Sequence, residues 1–331
     1  MIAQINNIFV RMSLKKTYTR FLSYALYEGR PLTTKGRWIN GLVFFFYRVQ
    51  SVLPFGKKVV KPVFILGTGR SGTTILGITL GIHKDVGFLN EPKAMWSYIY
   101  EGEDLIGSYS NQTARYRLDE KDVDKGMIKK IHNILGWYLR LGGALRVVDK
   151  YPELIFRTKF VNKIFPDACY LFLYRNGNDT CHSIKLWSER LGVVVENENH
   201  DWWGRNDQKW KYLCEQVLAF DPALGSHWKE IYEFDNHVDR AAVEWILTMK
   251  EGMLLMSQFP DQVMGVKYEE YVADANVRDE VLQFCALPPD QVFTNYCDTV
   301  LKAPREKSGL TLPPVISKEF SRVMSELGYE Q

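Results

Sequence analysis

Residues 63 to 80 restrict the fold more than any other stretch of the chain. Val63-Phe64-Ile65-Leu66 is an apolar run that predicts a buried strand, and Thr73 to Leu80 predicts a helix. Between them lies Gly67-Thr68-Gly69-Arg70-Ser71-Gly72. A strand, a glycine-rich turn and a helix together cradle phosphate. The glycines let backbone N–H groups curl around an anion, and the helix N-terminus adds the positive end of its dipole. Gly67 and Gly72 keep a G-x-x-x-x-G spacing, but Thr73-Thr74 follow where a nucleotide-kinase loop continues with Lys-Ser or Lys-Thr. A cation sits inside the loop instead, at Arg70.

The flanking sequence alternates strands and helices. Val86-Gly87-Phe88-Leu89 predicts a second strand with Glu91 at its end, and Asp122 to Leu141 predicts a helix closed by Gly142-Gly143. Ala144 to Val148 predicts a strand that delivers Lys150. A helix over about 153–165 follows, then a strand over Cys169 to Tyr174 with Arg175 at its tip. Asn176-Gly177-Asn178-Asp179 turns the chain into a helix carrying Ser183 and Trp187. A helix over Val238 to Phe259, a last strand over Val263 to Tyr268 and a helix over 276–286 complete the pattern. A loop-rich tail then closes with a helix over Ser317 to Leu327. This order predicts an α/β fold of three layers, P-loop-like, with a central, mostly parallel sheet flanked by helices. In open sheets of this kind the ligand site forms at the carboxyl ends of the strands. Glu91, Lys150 and Arg175 stand at such ends.

Residues 1–58 are basic and aromatic and read as a helical extension ahead of the main domain, 59–331. Residues 188–236 interrupt the alternation and read as an insertion on the acceptor side. The run Gly41 to Tyr47 is too short to span a bilayer, which takes about 20 apolar residues. It suits an interfacial helix with Arg37, Arg48, Lys57 and Lys58 towards anionic lipid, or a helix packed on the domain. No clean secretory signal is evident. Five scattered cysteines without a C-x-x-C pair predict free thiols in a reducing, cytoplasmic compartment. A net charge of +3 gives no indication of a nucleic-acid partner.

With these motifs in view, the chain resembles the sulfotransferases that use 3′-phosphoadenosine 5′-phosphosulfate (PAPS). Gly69-Arg70-Ser71-Gly72-Thr73-Thr74 resembles that family's loop for the 5′-phosphosulfate. Tyr174-Arg175, with Asp179 and then Ser183 eight positions after the arginine, resembles its 3′-phosphate motif. Phe165-Pro166-Asp167-Ala168 and Val266-Lys267-Tyr268-Glu269-Glu270-Tyr271 also fit, so the likeness covers about residues 60–290. The second motif departs from the usual Arg-Asp-Pro, reading Arg175-Asn176-Gly177. Arg70 in place of a loop lysine makes the chain similar to the Golgi tyrosylprotein and bacterial branches rather than the cytosolic one.

The resemblance implies a reaction and roles. A sulfuryl group passes in line from PAPS to a hydroxyl or amine acceptor, with no metal required. Arg70 would stabilise the leaving phosphate, Lys150 would contact the transferred group, and Glu91 would take the acceptor proton. Gly69 to Thr74, Arg175 and Ser183 would hold the donor, and Arg305 and Lys307 in a basic Gly-ended loop would close over its 3′-phosphate. His83 is an alternative base and His182 a packing residue. Trp202, Trp203, Trp210 and Trp228 fit either a core or the wall of a sugar or lipid acceptor site. The acceptor class stays open among carbohydrate, lipid, peptide and small metabolite, with peripheral membrane contact through residues 1–58. Rival readings are a P-loop kinase and a non-catalytic glycan- or membrane-binding relative.

Overall fold

Five short apolar strands build the centre of the molecule. In the computed structural model, which describes residues 2–195, 197–303 and 309–329, these are β1 (Val63–Gly67), β2 (Val86–Asn90), β3 (Arg146–Lys150), β4 (Cys169–Tyr174) and β8 (Val263–Lys267). They form one parallel sheet in the order β2-β3-β1-β4-β8. Successive side chains point to opposite faces. Val63, Ile65, Val148, Leu171, Leu173 and Val266 share one core with Leu76, Leu80 and Ile82 of the helix Thr73–Ile82 and with the C-terminal Phe293 and Tyr296. Phe64, Leu66, Val147, Tyr170 and Phe172 belong to the other, with Ile131 to Leu139 and the long helix His237–Gln258. Both faces are covered, which gives the three layers expected from the alternation.

Several boundaries differ from the sequence reading. β3 begins two residues later than expected and takes Asp149 and Lys150 into the ladder. The expected helix over 153–165 opens as a 3-10 turn over Pro152–Arg157 and becomes α-helical only over Thr158–Ile164. The tail is not loop-rich throughout. It holds the helix Gln291–Val300, capped by Asp290, with Phe293, Tyr296 and Cys297 buried at helical spacing. Inside 188–236 a small antiparallel sheet forms from β5 (Val193–Val195), β6 (Glu198–Asp201) and β7 (Gly204–Arg205). Strands of two to four residues carry too little alternation to be seen in sequence.

The N-terminal segment lies on the edge of the sheet. On the helix Leu14–Leu26, Lys16 donates to the Val86 carbonyl and Thr19 donates to the Gly142 carbonyl at 2.9 Å. Ser23 bonds the Tyr138 hydroxyl at 2.7 Å. Glu28 pairs with Arg20 and accepts from the Asn90 amide at 2.7 Å, which ties this segment to the end of β2.

Asp149 shows what the strand alternation costs. Its side chain enters the Trp96 side of the sheet, accepts from Trp96 Nε1 at 2.9 Å, and leaves Oδ1 without a partner among the described residues. Burial pushes this carboxyl up to about 8. Below about pH 4 the group is protonated both folded and unfolded. As pH rises towards 8 only the unfolded chain releases the proton, so this group subtracts stability over that window. Asp149→Asn should therefore melt higher than wild type by about 2 °C at about pH 7.5 and gain nothing at about pH 4. Melting curves of both proteins at the two pH values check this; a pH-independent difference would contradict it.

Candidate active site

The sheet register brings the candidate residues together. Lys150 pairs with Ile65 on one side and Asn90 on the other, and Gly67 pairs with Leu173. The ends of β1, β2, β3 and β4 therefore meet at one edge, and the residues just beyond them line a cavity of about 670 Å³.

The glycine loop is shaped for an anion. Gly67 (φ 138°) lies so close to β4 that an added Cβ would stand 2.3 Å from the Leu173 carbonyl oxygen. Gly72 (φ 109°) starts the helix Thr73–Ile82, whose N-terminus has no side-chain cap. Its first N–H groups are thus available to a ligand. Arg70 itself is left-handed, at φ 69°. A non-glycine residue held there is strained, a condition that concentrates at functional sites. Its Nε donates to Ser183 Oγ at 3.2 Å, which joins the loop to the helix Gly177–Leu191. Burial and the like charge of Arg190 depress the Arg70 guanidinium, and Arg175 adds to the effect. An anion bound among these cations would relieve that repulsion.

Arg175 is half-buried. Its Nη2 donates to Asp179 at 2.7 Å, its guanidinium lies 4.8 Å from the Tyr268 ring centre, and its Nε is buried without a hydrogen-bond partner among the described residues. Thr68 Oγ1 is likewise buried and unpartnered. Asn176, the departure in the second motif, caps the Ser183 helix by accepting from the Asn178 and Asp179 amides. The turn is therefore closed without the usual Asp-Pro. These orphaned groups, the uncapped helix and the guanidiniums of Arg70 and Arg175 fit a ligand carrying two separated anionic groups.

Opposite the loop runs a chain of alternating charges. Lys150 contacts Glu91, Glu91 lies 3.5 Å from Lys93, and Lys93 lies 3.2 Å from Glu153. Lys209 continues it, 3.4 Å from Glu153 and 2.6 Å from Glu244. Glu91 is a second strained residue, at φ 50°, and its side chain is 37% exposed towards the cavity while that of Lys150 is 2% exposed. Burial pushes the Glu91 carboxyl upward, but the Lys150 and Lys93 charges outweigh it and hold the group below the ordinary glutamate value. Glu91 is thus an ionised carboxylate with cations on both sides. The raised value that a base at neutral pH would favour is not what this resting arrangement provides.

Trp202 bridges the two halves. Its ring covers Gly69, where an added Cβ would stand 2.4 Å away. Its Nε1 donates to Glu244 at 2.7 Å, and its ring packs edge-on against Trp187 at 5.4 Å. Lys209 Nζ lies 4.7 Å from the same ring. The other tryptophans separate from it. Trp203 and Trp210 are core, and Trp228 packs on Tyr232. His83 is buried, bonds the Pro288 carbonyl at 2.8 Å and accepts from the Asp85 amide, so it holds a turn away from the cavity. His182 is half-buried on the Ser183 helix. Arg305 and Lys307 fall outside the described residues.

Sequence reasoning missed the wall made by the N-terminal segment. Tyr24, Arg30 and Thr34 line the cavity with Tyr109. Arg30 is buried, stacks 3.6 Å from the Tyr24 ring centre and makes no ion pair with any described residue. Nothing local in the sequence distinguished Arg30 from the other cations around it. Tyr268, packed on both Gly72 and Arg175, was legible only as part of a motif.

Residues 62–225 match the model of the sulfotransferase family. Among solved structures the chain is similar to a sulfotransferase from Mycobacterium avium, at 11% identity and a TM-score of 0.49, covering 99% of this chain and 89% of that one. It is similar to another from Mycobacterium tuberculosis H37Rv at 13% identity and 0.48, covering 99% of both. The sulfotransferase domain of the curacin biosynthetic pathway is 14% identical with a TM-score of 0.46, covering 83% of this chain and 99% of that one. No curated protein matches the sequence.

Proposed function

The chain belongs to the sulfotransferase family through residues 62–225, and from that premise we propose that it moves a sulfuryl group from PAPS to a hydroxyl-bearing acceptor. The observation that carries the reading is the joining of two anion sites, the uncapped loop 67–74 and Arg175 with Ser183, through the Arg70 to Ser183 hydrogen bond. PAPS supplies the activated sulfuryl group and a bisphosphate leaving group. The loop N–H groups and Arg70 take the 5′ side, and Arg175 and Ser183 take the 3′-phosphate. Residues 1–58 serve as the extension and 59–331 as the catalytic domain. The cavity-lining positions of Trp202 and Lys209 support 188–236 as the acceptor side. The free cysteines support a reducing, cytoplasmic compartment.

Lys150 and Glu91 divide the chemistry. In the resting site Lys150 neutralises Glu91. A sulfuryl group at the cavity would draw the Lys150 ammonium towards its oxygens and release Glu91. Burial would then raise the carboxyl into a range suited to accepting a proton. The acceptor oxygen attacks sulfur, the bond from sulfur to the bridging oxygen breaks, and the acceptor proton passes to Glu91. Lys93, held by Glu153, keeps the carboxylate oriented.

The donor is tested without knowing the acceptor. At about one hundred times its Kd, 3′-phosphoadenosine 5′-phosphate should raise the melting temperature by about 4 °C, and ATP with magnesium should do less. Equal or greater stabilisation by ATP would overturn the assignment in favour of a P-loop kinase. Tight nucleotide binding with no transfer to any acceptor in a cell extract would favour a non-catalytic relative.

A further inference from the structure

The helix Asn40–Val52 is apolar on the wrong side. Its inward face is Val43, Tyr47, Gln50 and Ser51, two of them polar. Its outward face is Leu42, Phe45, Val49 and Val52, and Phe45 and Val52 are 60% and 67% exposed. Trp38, one turn before, is 84% exposed, and Phe55, just after, is 60% exposed. Trp38, Leu42, Phe45, Val49 and Val52 recur at three and four, so they form one stripe about 20 Å long, and Phe55 follows in the extended segment after the helix. A contiguous exposed apolar surface of this kind marks an interaction site.

The charge around the stripe identifies what it meets. Residues 1–62 carry eleven Lys and Arg against one acidic residue, Glu28, which is buried in its pair with Arg20. No Asp or Glu occurs between Gly29 and Lys84. The rest of the chain is acidic, since the whole is only +3. Lys35, Arg37, Arg48, Lys57 and Lys58 are all exposed beside the stripe. A second copy of the chain would bring these cations against their own kind with no carboxylate in the segment to pair them. A bilayer of anionic lipid complements both features, taking aromatic and aliphatic side chains below the headgroups and Lys and Arg at their level. Among the described residues no helix is long and apolar enough to cross a membrane.

We propose that the outward face of this helix, with Trp38 and Phe55 at its ends, docks the protein peripherally on an anionic lipid bilayer. The cavity lies beside it. Thr34 lines the cavity and is four residues from Trp38, so the two are at most about 14 Å apart. Arg37 lines a smaller neighbouring cavity that shares Leu32, Ser108, Tyr109 and His200 with the first. Docking would therefore set one rim of the acceptor cavity at the headgroup level. The proposal stands independently of the donor chemistry, because docking is read in the absence of PAPS.

Co-sedimentation of the full chain with vesicles tests it. The protein should pellet with mixed phosphatidylserine and phosphatidylcholine vesicles and much less with phosphatidylcholine alone, with binding weakened by raised salt. Phe45→Glu with Val49→Glu should lower the partition coefficient at least about tenfold. Lys57→Ala and Lys58→Ala should each lower it about fivefold. Phe45, Val49 and Lys58 are exposed, so their substitutions should leave the melting temperature unchanged, whereas Lys57 also donates to the Ala144 carbonyl at 2.8 Å and its loss is read against the melting curve measured alongside. Absence of pelleting, equal binding to the neutral vesicles, or binding indifferent to the stripe substitutions would overturn the proposal. So would a concentration-dependent dimer in analytical ultracentrifugation that Phe45→Glu dissolves, since the face would then be a contact between copies.

Discussion

Arg70→Ala should lower the turnover of sulfuryl transfer by about a thousandfold or more while the protein stays folded. An arginine that meets charge developing in the transition state of a phosphoryl-type transfer contributes on the order of 10³ to 10⁵ in rate. The position of Arg70 suits the role proposed for it. It is strained in the loop, exposed at the cavity, and hydrogen-bonded sideways to Ser183. Among the described residues it makes no ion pair, and Arg190 and Arg175 press on its charge while Glu91 opposes them only in part. Arg70→Lys separates charge from geometry. Lysine restores the cation without the planar fork, so it should recover only part of the loss. Single-turnover rates with labelled PAPS and a melting curve for each variant measure this. Retention of more than about a tenth of wild-type turnover in Arg70→Ala would remove Arg70 from the reaction.

Glu91→Gln should bind 3′-phosphoadenosine 5′-phosphate within about twofold of wild type and transfer about 10² to 10⁴ times more slowly, the span of a lost general base. Glutamine keeps the shape and an acceptor oxygen for Lys150 and Lys93 but takes up no proton. The paired variant Lys150→Met tests the coupling. Burial raises the Glu91 carboxyl while Lys150 and Lys93 lower it. Removing Lys150 leaves the burial effect opposed by one cation, so the value rises. Activity that needs the ionised carboxylate is then lost at higher pH, and the acid limb of the kcat/KM profile should move upward. An unmoved acid limb in Lys150→Met, or normal turnover in Glu91→Gln, would assign the proton to another group.

Much of the site was legible because its residues sit in local patterns. The strand, glycine loop and helix at 63–80 announce an anion cradle from spacing alone. Glu91, Lys150 and Arg175 each follow an apolar run, and in a parallel sheet the ends of such runs meet at one edge. The glycine loop and the charged residues at the strand ends were therefore readable residue by residue. The facing wall of the cavity was not. Trp202 and Trp203 are adjacent and alike in sequence, yet one covers Gly69 and the other is buried in the core. Which way each ring points follows from the short antiparallel strands β6 and β7, whose two to four residues carry no periodic signal.

The sequence by itself determined the three-layer α/β fold, the anion loop, and which charged residues stand at strand ends. Those depend on interactions between near neighbours, namely strand and helix periodicity and the conformations open to glycine. Only the tertiary structure decided that Glu91 rests between Lys150 and Lys93. The same holds for the wall that Tyr24 and Arg30 add to the cavity, and for the side of the helix Asn40–Val52 that faces outward. Each of these depends on packing between segments distant in the chain. Both faces of that helix are apolar enough to be buried, and the choice falls to the one whose tyrosine, glutamine and serine find hydrogen-bond partners inside. Tyr47 donates to the Tyr27 carbonyl at 2.6 Å, Gln50 donates to the Tyr27 hydroxyl at 2.9 Å, and the Ser51 hydroxyl bonds the Tyr98 hydroxyl at 3.2 Å.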